Sequence, residues 1–159
     1  MASDIFLKIE GIDGESADSK HKGEIDILSW SFGASNSGSM AFGGGGGTGK
    51  VAFQDLSFSK RVDKSSPKLL EHCANGKHIK KAVLVARKQG GDQMDYMVIT
   101  VTDLLVSSFQ QGGSGEDSEQ FSLNFSHIEY KYTAQNEKGA KAGDTAMKWN
   151  IKKNDTSGA

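Results

Sequence analysis

Four stretches of this 159-residue chain alternate apolar and polar residues with a period of two, and each changes parity midway. Ile25 and Ile27 give way to Leu28, Trp30 and Phe32. Val51 and Phe53 give way to Leu56 and Phe58, with the switch near Gln54-Asp55. Met97, Ile99 and Val101 are followed by Leu104 and Val106. Phe121, Leu123 and Phe125 are followed by Ile128, Tyr130 and Tyr132. Period two marks strands, because successive side chains in a strand point to opposite faces. A flat sheet with one wet face would keep its parity. A β-bulge switches faces by adding a residue. A strand also switches faces when it leaves one sheet and enters another, as in small closed barrels. The pattern therefore predicts a mainly β chain, a small β-barrel or tight sandwich.

The remaining elements fit that frame. Ile5, Leu7 and Ile9 alternate with Phe6, Lys8 and Glu10 until Gly11, which predicts a first strand. Residues 12–23 are polar and turn-rich, hence a loop. Further strands are predicted over 79–88 and around Met147, Trp149 and Ile151, with a turn at Gln89-Gly-Gly-Asp92. One helix is predicted after Ser65-Ser66-Pro67, with Ser66 as N-cap and Pro67 at the first helical position. Leu69, Leu70, Cys73 and Ala74 form its predicted apolar face, and Asn75-Gly76 its left-handed stop. A helix of about ten residues cannot stand alone, so it must dock beside the sheets.

Function classes fall away on composition. The net charge is -1, and no window concentrates Lys and Arg, so nucleic acid is not an expected partner. The N-terminus shows no secretory signal, and no apolar run reaches the roughly 20 residues of a membrane helix. The single cysteine, Cys73, fits folding in a reducing compartment. Glycine is abundant, at 20 residues, with clusters at 43–49 and 112–115. Gly44-Gly-Gly-Gly-Thr-Gly49-Lys50 fits the outline of a phosphate loop, but Val51 stands where Ser or Thr is needed and a strand follows instead of a helix. His21, His72, His78 and His127 lack metal-ligand spacing. The carboxylates of Asp13/Glu15/Asp18 and Glu116/Asp117/Glu119 read as solvated loops, since a raised pKa needs burial. The sequence predicts neither a catalytic site nor a cofactor. Residues 1–153 read as one domain and 154–159 as a short polar tail.

Three blocks then carry a resemblance. The first is Gly14-Glu-Ser-Ala-Asp-Ser-Lys-His-Lys with Ile25-Asp-Ile-Leu-Ser-Trp-Ser-Phe-Gly33. The second is Phe53-Gln-Asp-Leu-Ser-Phe-Ser-Lys60 with Val62-Asp-Lys-Ser-Ser-Pro-Lys-Leu-Leu70 and Gly76-Lys-His78. The third is Leu105-Val-Ser-Ser108 with Glu119-Gln-Phe-Ser-Leu-Asn-Phe125. Their order and spacing, from about Asp4 to Lys152, resemble the hemolysin-coregulated protein (Hcp) family of type VI secretion. The resemblance implies a small β-barrel built from two sheets with one short α-helix packed at its side. It implies six copies in a ring, rings stacked into the inner tube of a contractile secretion machine, and small effector proteins carried in the lumen. Sheath and spike proteins would be further partners. The subunit would be cytoplasmic in the producing cell and exported through the machine without a signal peptide. No enzymatic activity, nucleic acid or membrane insertion is implied. Ser37, Gly38, Ser39, Met40, Phe42, Gly43 and Gly49 are the expected inter-ring loop, and Gly112, Gly113 and Ser114 the expected lumen contacts. A second reading of the residues is a monomeric barrel binding a small apolar ligand. A third is a compact hydrolase using Glu116 or Glu119.

Overall fold

The computed structural model describes residues 3–38, 48–89 and 93–159. Its strands are β1 (Ser3–Ile9), β2 (Ile25–Asp26), β3 (Ser29–Ser31), β4 (Ala34–Gly38), β5 (Thr48–Phe53), β6 (Leu56–Arg61), β7 (Ile79–Lys88), β8 (Asp95–Gly113), β9 (Asp117–Gln135) and β10 (Lys141–Asn150). The helix α1 spans Ser66–Asn75. Eight strands form one antiparallel sheet in the order β2-β1-β7-β8-β9-β6-β3, with β10 added to β9. β4 and β5 form a separate two-stranded sheet. The expected mainly β fold with two sheets and one short helix is thus observed. The ladder path is open rather than a closed ring of ladders, which corrects the expectation of a closed barrel.

The parity switches explain how an open path still encloses a core. β8 and β9 pair along nearly their whole length, and both change their buried face at one rung. Before it, Met97, Ile99 and Val101 are buried; after it, Leu104 and Val106 are, and all five join one cluster. The register is unbroken from Thr102–His127 to Leu104–Phe125. No residue is inserted there. Instead Asp103 adopts φ 50°, the left-handed region. An aspartate tolerates that region better than most residues with a Cβ. The long hairpin so turns a corner and divides the sheet into two leaves. One leaf holds β2, β1, β7, the first half of β8, the second half of β9, and β10. The other holds β3, β6, the first half of β9 and the second half of β8. Leu7, Ile25, Leu84 and Ile99 of the first leaf face Leu56, Phe121 and Leu123 of the second in a single core. A substitution tests the corner. Asp103→Val should be less stable than Asp103→Gly by about 1–2 kcal/mol in denaturant unfolding, because only glycine escapes the left-handed penalty.

The seam between the leaves lies at the first parity switch. β2 and β3, the two ends of the ladder path, belong to the same stretch of chain. The Ile27 amide donates to the Ile5 carbonyl in one leaf, and the Leu28 amide to the Ser59 carbonyl in the other. The second switch, near Gln54-Asp55, is likewise where β5 leaves off and β6 begins. The Gln54 amide donates to the Gly33 carbonyl at the root of the β4–β5 hairpin.

Helix α1 differs from expectation in its face and cap. Ser65, not Ser66, is the N-cap residue, while Gly76 closes the helix at φ 64° as predicted. The buried residues are Ser66, Leu69 and His72, with Cys73 half-buried, and Leu70 is 52% exposed. At about 100° per residue Ser66, Leu69, His72 and Cys73 share an arc of about 120°, and Leu70 and Ala74 fall beyond its edge. The tail after β10 is tied down: buried His127 and Asn150 donate to the carbonyls of Ser157 and Gly158.

Candidate assembly interface

The most regular surface is the outer face of the second leaf. Three complete rungs cross its four strands. The middle rung is Trp30, Phe58, Phe121 and Phe109, which points inward, with Phe58 stacked on Phe121 at 5.0 Å. Its neighbours point outward: Ser29, Ser59, Gln120 and Gln110 on one side, Ser31, Ser57, Ser122 and Ser108 on the other. These rungs therefore form an uncharged field of hydroxyls and amides on an aromatic backing, flanked by exposed Arg61 on the rung beyond Ser59 and by Asp55, which accepts from Ser107 and Asn124. A shallow cleft of about 390 Å³ runs over it. Ser29 and Ser59 share a hydrogen bond of 2.6 Å across strands. A β-bulge at Ser107 brings a second serine opposite Ser122, at 2.7 Å.

Among the described residues both sides of this leaf lack a further strand. There β3 pairs with β6 and with no other strand. β8 pairs with β7 only as far as Leu104, so residues 105–113 have β9 alone as a described strand partner. Free edges present unpaired N–H and C=O groups, a template for strand addition. Beside the β3 edge, Leu28 is 53% exposed.

The other leaf has its own overhang. Its inner-face rungs run from buried Met97, Ile99 and Val101 on β8 to Tyr132, Tyr130 and Ile128 on β9, then to Thr145, Met147 and Trp149 on β10. Exposure rises outward, to 43% at Tyr132 and 45% at Met147. The outer strand side of β10 has no partner among the described residues.

Buried charges brace both leaves. Lys60, fully buried, pairs with buried Glu119 and with Asp63 at 2.8 Å. Glu119 also accepts from Ser66 of α1 at 2.6 Å and from Gln111 at 3.0 Å. Glu119 is thus no solvated loop carboxylate, contrary to expectation, whereas Glu116 and Asp117 are exposed. On the first leaf, a strap of residues 11–24 crosses the outer face. Gly14 passes so close that a Cβ there would lie 2.5 Å from the Glu24 carbonyl oxygen. Arg87, 2% exposed, holds the strap by two hydrogen bonds to Asp18, at 2.6 and 3.0 Å, and also donates to Asp4 of β1 at 3.0 Å. The Arg87 hydrogen bonds hold the Asp18 carboxyl well below the usual carboxylate range, and Asp18 in turn raises Arg87. Asp4 is lowered by its Gln89 hydrogen bond and then by Arg87. Asp18 too is therefore no free loop carboxylate.

The residues expected from sequence fall in two places. Ser37 and Gly38 end β4, and Gly49 lies in β5. Ser39, Met40, Phe42 and Gly43 lie outside the described residues. Gly112 and Gly113 end β8 at the hairpin tip opposite Ser118 and Asp117, and Ser114 lies in the connection to β9. Gly112 continues the outward-facing series of Ser108 and Gln110, one rung beyond the hydroxyl field. The field itself was overlooked in the sequence. Its signal is a polar-aromatic-polar triplet in each strand: Ser29-Trp-Ser31, Ser57-Phe-Ser59, Ser108-Phe-Gln110 and Gln120-Phe-Ser122.

Fold and surface define a class: a two-leaf antiparallel β domain, braced by buried ion pairs, whose most developed surface is a sheet face with free edges. The family model described as "Type VI secretion system effector, Hcp" matches residues 6–132. The chain belongs to this family. Protein hcp1 of Pseudomonas aeruginosa is 50% identical over 159 residues, an alignment covering 97% of this chain and 98% of that one. The crystal structure of Hcp1 from Salmonella typhimurium superposes with TM-score 0.80 at 37% identity, covering 97% and 99% of the two chains. A structure described as a type six secretion system protein superposes with TM-score 0.90 at 29% identity, covering 97% and 99%.

Proposed function

We propose that the chain is the ring subunit of a secretion tube, joined to its neighbours through the second leaf. The β3 edge of one copy adds to the second half of β8 on the next. The two edges differ, so the contact is heterologous and closes into a ring when the rotation fits. The observation that carries this reading is the hydroxyl and amide face with a free edge on either side. Six copies, the number the family resemblance implies, would place about 24 strands in one wall, and strands about 4.8 Å apart and tilted about 40° make a barrel about 40–50 Å across. The Ser/Gln field becomes its inner lining. A folded cargo of about 100 residues, with a radius of gyration near 13 Å, fits such a lumen. The uncharged rungs suit transport, because between Arg61 and Asp55 they hold no fixed charge against which cargo must be desolvated.

The β4–β5 hairpin, with Ser37, Gly38 and Gly49, is the proposed contact between stacked rings, and Gly112, Gly113 and Ser114 form the rim of the lumen. Sheath, spike and small effector proteins are the proposed partners, and export through the machine is the proposed route out of the cell. Among the described residues no helix is long and apolar enough to cross a membrane. The test is light scattering on the purified chain. A mass near six times the 17.0 kDa of one copy is expected at micromolar concentration, and a stable monomer would overturn the ring.

A further inference from the structure

We propose that His21 is a proton-operated clip between the strap and β8, closed when its imidazole carries both protons. His21 is 7% exposed and stacks on Phe6 of β1 with ring centroids 4.3 Å apart. Its Nδ1 lies 2.7 Å from Glu24 Oε2. Its Nε2 lies 3.5 Å from Asp95 Oδ1, at the start of β8. Nε2 and that carboxylate oxygen are themselves buried and lack a hydrogen-bond partner among the described residues, while the Asp95 side chain as a whole is 40% exposed.

A neutral imidazole has one donor and one acceptor, and an imidazolium has two donors. With Nδ1–H committed to Glu24, a neutral ring turns the Nε2 lone pair toward a carboxylate oxygen. That sets acceptor against acceptor in a buried space. A second proton converts the same contact into a charge-assisted hydrogen bond. Charged groups of both signs face the ring. Glu24 and Asp18 face His21 from the strap, where Asp18 also accepts from the His21 amide at 3.2 Å. Asp95 faces it from β8. Opposing them are Arg87 of β7, 5.0 Å from the Phe6 ring centroid, and Lys20, which shares a surface cleft with Asp95. Arg87 already serves Asp18 and Asp4. The strap is therefore fixed to β7 at all ordinary pH by Arg87–Asp18, and to β8 only while His21 is charged.

Hydrogen exchange reads this directly. The amides of Gly14, Ser16 and Gly23 bond to carbonyls of Gly23, Glu24 and Ser16 within the strap. Their protection factors, corrected for intrinsic exchange, should be about tenfold or more higher at about pH 5.5 than at about pH 8.5 in the native protein. The Arg87–Asp18 anchor is silent over that window, since Asp18 is held below it. His21→Gln should abolish the pH dependence. Asp95→Asn offers an amide donor to a neutral Nε2, so protection at the higher pH should rise toward the acid value. Equal protection at both pH values in the native protein would overturn the clip. So would an undiminished pH response in His21→Gln. If His21→Gln does not fold, Asp95→Asn decides: protection at the higher pH as low as in the native protein rejects the proposal.

Discussion

Leu28→Glu is expected to convert rings into monomers without unfolding the subunit. Leu28 is 53% exposed, so the free subunit loses little by the exchange, about 0.5 kcal/mol or less. Its backbone is fixed independently by the bond from its amide to the Ser59 carbonyl, 2.9 Å. In the ring the same side chain sits beside the joining edge of β3. A carboxylate desolvated there without a partner costs roughly 2–5 kcal/mol at every seam. Each subunit has one such seam on either side, so the penalty recurs around the ring. Light scattering should report a mass near that of one chain, while circular dichroism and the unfolding midpoint stay close to native. Leu28→Ala should weaken assembly less, by a loss of contact area alone. Intact rings of Leu28→Glu at micromolar concentration would place the seam elsewhere.

Lys60→Ala is expected to destabilise the fold strongly. Lys60 and Glu119 are 0% and 1% exposed and form an ion pair. Removing the cation leaves a buried carboxylate with only Ser66 and Gln111 as donors, which costs about 3–5 kcal/mol. The pair itself is not the source of that stability. Lys60→Met with Glu119→Leu should recover most of the loss, since well-packed apolar pairs commonly replace buried ion pairs at little cost. Denaturant unfolding of the two singles and the double, as a mutant cycle, separates these terms. The same change should loosen the start of α1, because Ser66 and Asp63 are held by the same lysine. It should also loosen the β8–β9 tip, which Gln111 ties to Glu119.

What the sequence revealed and what it hid follow from sequence distance. The parity switches were legible because alternation is local, and all four marked a real change of strand or leaf. The physical cause at β8 was hidden, since nothing in Thr102-Asp-Leu104 announces φ 50° at the middle residue. The helix ends were legible from Pro67 and Gly76, but its buried stripe was misjudged by one position. The buried charges were illegible. Asp18 reaches Arg87 across 69 residues, and Ser66 reaches Glu119 across 53. No window of sequence separates such a carboxylate from a solvated one. The hydroxyl field was hidden for the opposite reason. Each triplet is short and ordinary, and only register places four of them on one rung.

The central claim is that one leaf makes the ring wall, edge to edge, with its Ser/Gln face turned inward. Electron microscopy of the assembled protein, at a resolution that places side chains, tests it most directly. The expected image is a ring in which β3 of each subunit adds to the second half of β8 on the next, with Ser57, Gln120 and Ser122 lining the hole. A ring joined through β10, or one with the serine face turned outward, would contradict it.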